Sequence, residues 1–201
     1  MSLLSRLRPI AVPLVAFLLG LAALGATALV TLTPAGRQAA PSAIGGPFSL
    51  VDQDGRSVTE RDLVGRPHLV FFGFTHCPDV CPTTLFQISE VLREARKGGK
   101  ARDVEAYFVT VDPERDHPAA LKSYLGSFDE RVRGLTGDPA AVAAALKAYK
   151  AFSRKVPTKD GDYTMDHTAV VYLMDAQGRF VSTFNPARPA AEAAAELARA
   201  L

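Results

Sequence analysis

The segment "HLVFFGFTHCPDVCPTTL", residues 68 to 85, constrains the fold of this chain more than any other. Its first half, "HLVFFGF", is a continuous apolar run with β-branched and aromatic content, the pattern of a central strand covered on both faces. Its second half opens a helix. Leu85, Ile88, Val91 and Leu92 recur at helical spacing, Pro82 suits a first turn and Gly98 an end. The chain's only two cysteines, Cys77 and Cys81, lie at the junction, each followed by a proline.

The rest of the sequence alternates in the same way. "FSLV" and "RSVTE" flank the turn "DQDG" and predict a short hairpin. "VEAYFVTVD" is a second buried strand, and "PAALKSYLGSF" and "DPAAVAAALKAYK" are helices, the latter opened by Asp138 with Pro139 just inside. "TAVVYLMD-AQG-RFVSTF" predicts an antiparallel hairpin, and the alanine-rich "RPAAEAAAELARAL" a final helix. This order is that of an α/β, thioredoxin-like fold, a central mixed sheet flanked by helices. Such a topology sets the end of the first central strand, and hence both cysteines, beside the start of a helix.

Upstream lies a different kind of chain. No charge separates Arg8 from Arg37, and the apolar run from Ile10 to Leu32 exceeds the roughly 20 residues that cross a bilayer core. Residues 1–8 are therefore expected to be a cytoplasmic N-terminus and 9–32 a single transmembrane helix, or an uncleaved signal. Residues 33–46, small and rich in Pro and Gly, read as a linker, with the globular domain at 47–201. The run exceeds the 7–15 residues of a cleaved signal's apolar core, although "ALGATA" offers small residues for a cleavage site. Arg6 and Arg8 before the run, against Arg37 after it, place the domain outside by the positive-inside bias. The expected location is the inner membrane, with the domain in the periplasm, where a disulfide persists. All 21 Asp+Glu lie beyond position 50, whereas three of the 23 Lys+Arg precede position 38. The remainder thus carries 20 positive charges against 21 negative, about −1, and has no basic stripe for nucleic acid.

Three residues separate the cysteines, where thiol-disulfide exchange enzymes usually have two. Pro78 and Pro82 disfavour α geometry in Cys77 and Cys81, so a loop is expected, with Cys81 capping a helix that begins at Pro82. At a helix N-terminus free amides and the macrodipole favour a thiolate. Even at helical spacing the two Cα atoms would lie about 6.2 Å apart, within the range a disulfide bridges. The pair is a structural staple, a redox couple, or a soft half-site for Cu(I) or Zn²⁺. His167, in "DYTMDHTAVVYL", stands just before a buried strand, where oxidoreductases of this fold carry a proline beside the sulfurs; here the preceding proline is Pro157. An imidazole facing two thiolates makes a Cys₂His metal site.

"GFTHCPDVCPTTL", "VTVDPERDHP" and "DYTMDHTAVVYL" resemble, in order and spacing, the motifs of the Sco (SenC-type) copper chaperones, over nearly all of residues 43–201. The resemblance implies one copper ion, Cu(I) or Cu(II), held by Cys77, Cys81 and His167. It implies a role in assembling the binuclear copper centre of cytochrome c oxidase subunit II. Implied partners are that subunit or another copper-accepting protein, a copper donor or thiol reductant protein, and the membrane. Asp166 and Asp79 are candidates to orient the imidazole or offer an oxygen to Cu(II). His117 departs from the family pattern, which often has Thr there. His76 is left outside the ligand set, Met165 is assigned to packing, and Asp112 and Arg115 to a structural pair. "VDPERD" is expected to contact the cysteine loop, and residues 153–163 to be a mobile, charged excursion that lets His167 approach when metal is present. The alternative is a periplasmic thiol-disulfide oxidoreductase acting on cysteines of a copper-protein target; a structural domain with a staple is the third reading.

Overall fold

The computed structural model describes residues 16–25, 27, 44–99 and 101–201. The chain divides into two compact units, Met1–Pro41 and Ser42–Leu201. In the first, residues 16–25 and 27 are helical. Among the described residues no helix is long and apolar enough to cross a membrane. The segment 1–8 expected to be cytoplasmic, much of the anchor expected at 9–32 and most of the linker expected at 33–46 lie outside the described residues.

The second unit is built on a seven-stranded mixed sheet. Its strands are β1 (Ser49–Asp52), β2 (Ser57–Thr59), β3 (His68–Gly73), β4 (Glu105–Thr110), β5 (Val132–Thr136), β8 (Val171–Met174) and β9 (Phe180–Phe184). They lie in the order β2-β1-β5-β4-β3-β8-β9. β3, β4 and β5 run parallel, and their neighbours join antiparallel. Helices α1 (Val80–Ala95), α2 (Pro118–Leu125), α3 (Pro139–Ala148) and α4 (Ala190–Ala200) cover it. α1 packs with α4, α2 on β5 and α3 on β1. This is the expected thioredoxin-like arrangement.

Local chemistry explains the elements. The "DQDG" turn closes because the Asp52 carboxylate accepts from the amides of Asp54 (2.8 Å) and Arg56 (2.9 Å), with Gly55 at φ +83°. Asp138 caps α3 by accepting from the Ala141 amide at 2.7 Å, with Pro139 in the first turn. All six residues of β3 are buried, because its parallel partner β4 and antiparallel partner β8 hold it inside a sheet covered on both faces. Ile44 packs against the core, and the Gly45 amide donates to the Ala148 carbonyl at 2.9 Å.

Two elements depart from expectation. Strand β5, "VRGLT", was not anticipated, since Arg133 and Gly134 interrupt its apolar pattern. Gly134 is there because α2 lies so close: a Cβ at this position would sit 2.7 Å from Leu125 Cδ1 and 3.2 Å from Leu121 Cβ. The charged excursion at 153–163 is instead mostly strand. β6 (Ser153–Pro157) and β7 (Tyr163–His167) pair antiparallel through five residue pairs, from Ser153↔His167 to Pro157↔Tyr163. Arg154, Lys155 and Pro157 of β6 are exposed, which is why this strand reads as a solvated segment.

Candidate metal centre

The site forms where β3 gives way to α1. Beyond Gly73, Phe74 is buried, and its carbonyl accepts from the Cys77 amide at 3.2 Å, closing a turn. The helix begins at Val80, with Asp79 at its cap, so Cys81 occupies the first helical turn. The expected start at Pro82 is thus two residues late. First-turn amides have no partner within a helix, so the missing N–H of Pro82 costs nothing there. The Cys81 amide points back and donates to Cys77 Sγ at 3.4 Å.

Both cysteines are free thiols, Cys77 8 % exposed and Cys81 fully buried. The expectation of a helix-stabilised thiolate does not hold for Cys81. Burial pushes its thiol well above the usual range; a hydrogen bond from the Phe74 backbone opposes this, and Cys77 and Asp116 add to the rise. Desolvation outweighs the amides of one helix end, so burial favours the neutral thiol.

His167 is the last residue of β7 and is half-buried. Its Nδ1 lies 3.2 Å from the Thr168 carbonyl, which can only accept, so the proton belongs on Nδ1 and the Nε2 lone pair faces the cysteines. Nε2 stands 3.8 Å from Cys81 Sγ, and the Phe74 ring meets the imidazole nearly perpendicularly, centroids 5.7 Å apart. The ligand atoms of Cys77, Cys81 and His167 all lie within 4.8 Å of one another. The β6–β7 pairing thus places His167 beside the sulfurs. Two sulfurs and one imidazole nitrogen form a soft, low-coordinate donor set suited to copper or zinc.

The other candidates fall elsewhere. Asp166 alternates to the outer face of β7, where its exposed carboxylate pairs with Arg154 at 3.1 Å; it does not orient His167, because successive strand side chains point to opposite faces. Asp79 is exposed at the α1 cap, 3.4 Å from Thr83 Oγ1. His76 is exposed and turned toward Thr75 and Asp116. Met165 is buried in the core, and Asp112 and Arg115 pair as expected. His117 caps α2 by accepting the Ala120 amide on Nδ1, the task a Thr hydroxyl performs at such a position.

Two site residues were missed. Gly73 is one: a Cβ there would lie 2.6 Å from Phe108 Cε2 and 2.8 Å from Cys81 Sγ, so glycine makes room for the sulfur. A glycine ending a strand of otherwise large side chains was the available signal. Asp116 is the other. Fully buried, it accepts from the Thr75 amide (3.0 Å) and hydroxyl (2.6 Å) just before Cys77.

Fold and site define a class: a thioredoxin-like domain in which two thiols and an imidazole converge at the end of a central strand. The SCO1/SenC family model matches residues 36–201, and the chain belongs to that family. It is 38 % identical over 149 residues to the mitochondrial SCO1 homolog 1 of Arabidopsis thaliana, covering 74 % of this chain and 44 % of that protein. It is also 38 % identical to the SCO2-like protein of Rickettsia felis, covering 70 % and 69 %. The chain spans about half the length of the first curated relatives it matches, from 44 to 55 %. Among solved structures, Bradyrhizobium japonicum ScoI with copper bound is 61 % identical, with a TM-score of 0.74 over 79 % of this chain and 99 % of that one. Yeast Sco1 with copper bound is 36 % identical, TM-score 0.72, over 79 % and 88 %. BsSco, a member of the Sco family of cytochrome c oxidase assembly proteins in which a disulfide switch was identified, is 26 % identical, TM-score 0.60, over 77 % and 91 %.

Proposed function

We propose that this protein is a copper-binding assembly factor that delivers copper to, or prepares, the binuclear copper centre of cytochrome c oxidase subunit II. The observation that carries the reading is the gathering of Cys77, Cys81 and His167 within 4.8 Å. Copper-bound relatives at 61 and 36 % identity support the choice of metal. In this reading Cys77 and Cys81 hold Cu(I) as thiolates, each thiol releasing its proton on loading, and His167 Nε2 adds the donor that suits Cu(II). Copper is cargo: it leaves by ligand exchange with the acceptor's own thiols and imidazoles.

The dithiol also makes loading depend on redox state. Oxidation to a Cys77–Cys81 disulfide removes two protons and two electrons and leaves no thiolate to bind, so a thiol reductant partner would reopen the site. The disulfide switch identified in BsSco supports this gate. The uncharged run between Arg8 and Arg37 supports anchoring by residues 9–32, with the domain in the periplasm.

The test mixes anaerobically reduced, copper-loaded protein with the soluble copper-accepting domain of subunit II, and repeats the loading with the disulfide form. Reduced protein should take up one copper and pass it on, and the disulfide form should take up none. Absence of uptake by the reduced protein would end the copper reading. Uptake without transfer would end the chaperone reading. Protease added to spheroplasts should digest the domain, whereas full protection would contradict the proposed orientation.

A further inference from the structure

The loop that follows β4, residues 111–117, touches both halves of the site. On one side the Asp116 carboxylate, fully buried, accepts three hydrogen bonds: from the Thr75 amide at 3.0 Å, the Thr75 hydroxyl at 2.6 Å and the Thr110 hydroxyl at 2.7 Å. Thr75 lies two residues before Cys77. The Val111 amide also donates at 2.8 Å to the carbonyl of Gly73, the residue that makes room for Cys81. A fully buried carboxylate with three donors is a rigid anchor, because losing a donor leaves part of its hydrogen-bonding capacity unsatisfied where no water can replace it.

On its other side the loop holds the β6–β7 hairpin. Asp112, also fully buried, accepts from Arg115 Nε and from the Tyr163 hydroxyl at 2.9 Å. Arg115 Nη1 donates to the Tyr163 carbonyl at 3.1 Å, and its guanidinium stacks 3.8 Å above the Tyr163 ring. Lys155 approaches that ring at 4.5 Å and pairs with Glu114. Among the described residues, every hydrogen bond or ion pair tying residues 153–167 to non-adjacent parts of the domain ends on residues 112–115, apart from the His167 contact with Cys81. Tyr163 is the first residue of β7 and His167 the last. Within the loop, the Asp116 amide donates to the Asp112 carbonyl at 2.9 Å, joining the two grips.

We propose that residues 111–117 form a positioning clamp, in which Asp116 sets the cysteine loop while Asp112 and Arg115 set the histidine hairpin, so that this one loop fixes the imidazole against the two sulfurs. Asp116, Asp112 and Arg115 are positioning residues, none of them a ligand. The two grips act on different donors. Loosening the hairpin releases His167 and spares the dithiol; loosening Asp116 disturbs the dithiol itself.

The inference rests on the copper reading, and its test separates the two. In full-length protein, Tyr163→Phe and Arg115→Gln should weaken Cu(II) binding tenfold or more while changing Cu(I) affinity by less than threefold. Both should leave the Cys77–Cys81 dithiol-disulfide equilibrium with glutathione unchanged. Asp116→Asn should shift that equilibrium at least fivefold without metal, and Thr75→Val, which removes only the hydroxyl donor, should shift it the same way if Asp116→Asn does not fold. Amide exchange in residues 153–167 should quicken tenfold in Tyr163→Phe and stay unchanged in Thr75→Val. Variants that lower the melting temperature but leave the Cu(II)/Cu(I) split and the glutathione equilibrium at wild-type values would overturn the clamp. Failure of wild-type protein to bind copper would overturn the copper reading alone, because the glutathione and exchange measurements need no metal.

Discussion

Gly73→Ala is the smallest change that should damage the site from within. The added methyl would stand 2.6 Å from Phe108 Cε2 and 2.8 Å from Cys81 Sγ, against the 3.4–4 Å of ordinary contact, so each neighbour must retreat by roughly an ångström. Phe108 is fully buried in β4, and Cys81 is fully buried in the first turn of α1, so neither has free space to enter. Overpacking of this kind costs about 1–3 kcal/mol, which for a domain of this size lowers the melting temperature by about 2–12 °C. The movable group is the sulfur, and its displacement should cost about tenfold in Cu(I) affinity. Thermal unfolding and competitive Cu(I) titration measure both effects. Adding Cys81→Ala to Gly73→Ala should cost less stability than Cys81→Ala costs alone, because removing the sulfur relieves half of the clash; a double-mutant cycle gives that coupling. A Gly73→Ala protein with wild-type stability and wild-type Cu(I) affinity would refute the reasoning.

Other consequences follow from burial and capping. Cys77 should be alkylated by iodoacetamide well before Cys81, since Cys77 keeps slight exposure and burial holds Cys81 as a neutral thiol; mass spectrometry of partly labelled protein should show the single adduct on Cys77. His68 is buried, and desolvation lowers its pKa below the usual imidazole value, against opposing contributions from the Arg66 carbonyl, Glu105 and Asp175. Its folded pKa lies below its unfolded one, so its contribution is complete above about pH 6.5 and is lost as pH falls below that. Urea titrations from pH 7.5 to 5.5 should show wild type losing up to about 1.4 kcal/mol per pH unit more than His68→Gln, and equal slopes would contradict the assignment. His117→Ala should cost about 1 kcal/mol through loss of the α2 cap, and His117→Thr should restore most of it; equal melting temperatures for the two variants would argue against capping.

The parts legible in sequence were those where one residue type answers one physical demand. β3 announced itself because a strand covered on both faces has no polar positions, and α3 because Asp138 and Pro139 are its cap and first turn. Cys77, Cys81 and His167 were assembled from topology and a family resemblance, and the structure brings them together. β5 was hidden because its centre, Gly134, is chosen by the approach of α2, a tertiary fact with no local trace. The β6–β7 hairpin was hidden because its partners are charged side chains on the loop after β4, so its sequence looks solvated. The neutral state of Cys81 could not be read from its place at a helix start, since helix amides and burial oppose each other and only the fold sets the depth. Asp166 misled for a simpler reason: in a strand the residue beside a ligand faces away from it.

Copper titration of the anaerobically reduced protein, followed by absorption for wild type and for Cys77→Ala, Cys81→Ala and His167→Ala, tests the central claim most directly. Wild type should bind one equivalent of copper whether it is supplied as Cu(I) or as Cu(II), the latter giving thiolate-to-metal charge-transfer bands. Each cysteine variant should lose both, and His167→Ala should keep Cu(I) within about tenfold while losing the Cu(II) bands. Cu(II) bound by His167→Ala as tightly as by wild type, with unchanged bands, would contradict a site made by these three residues.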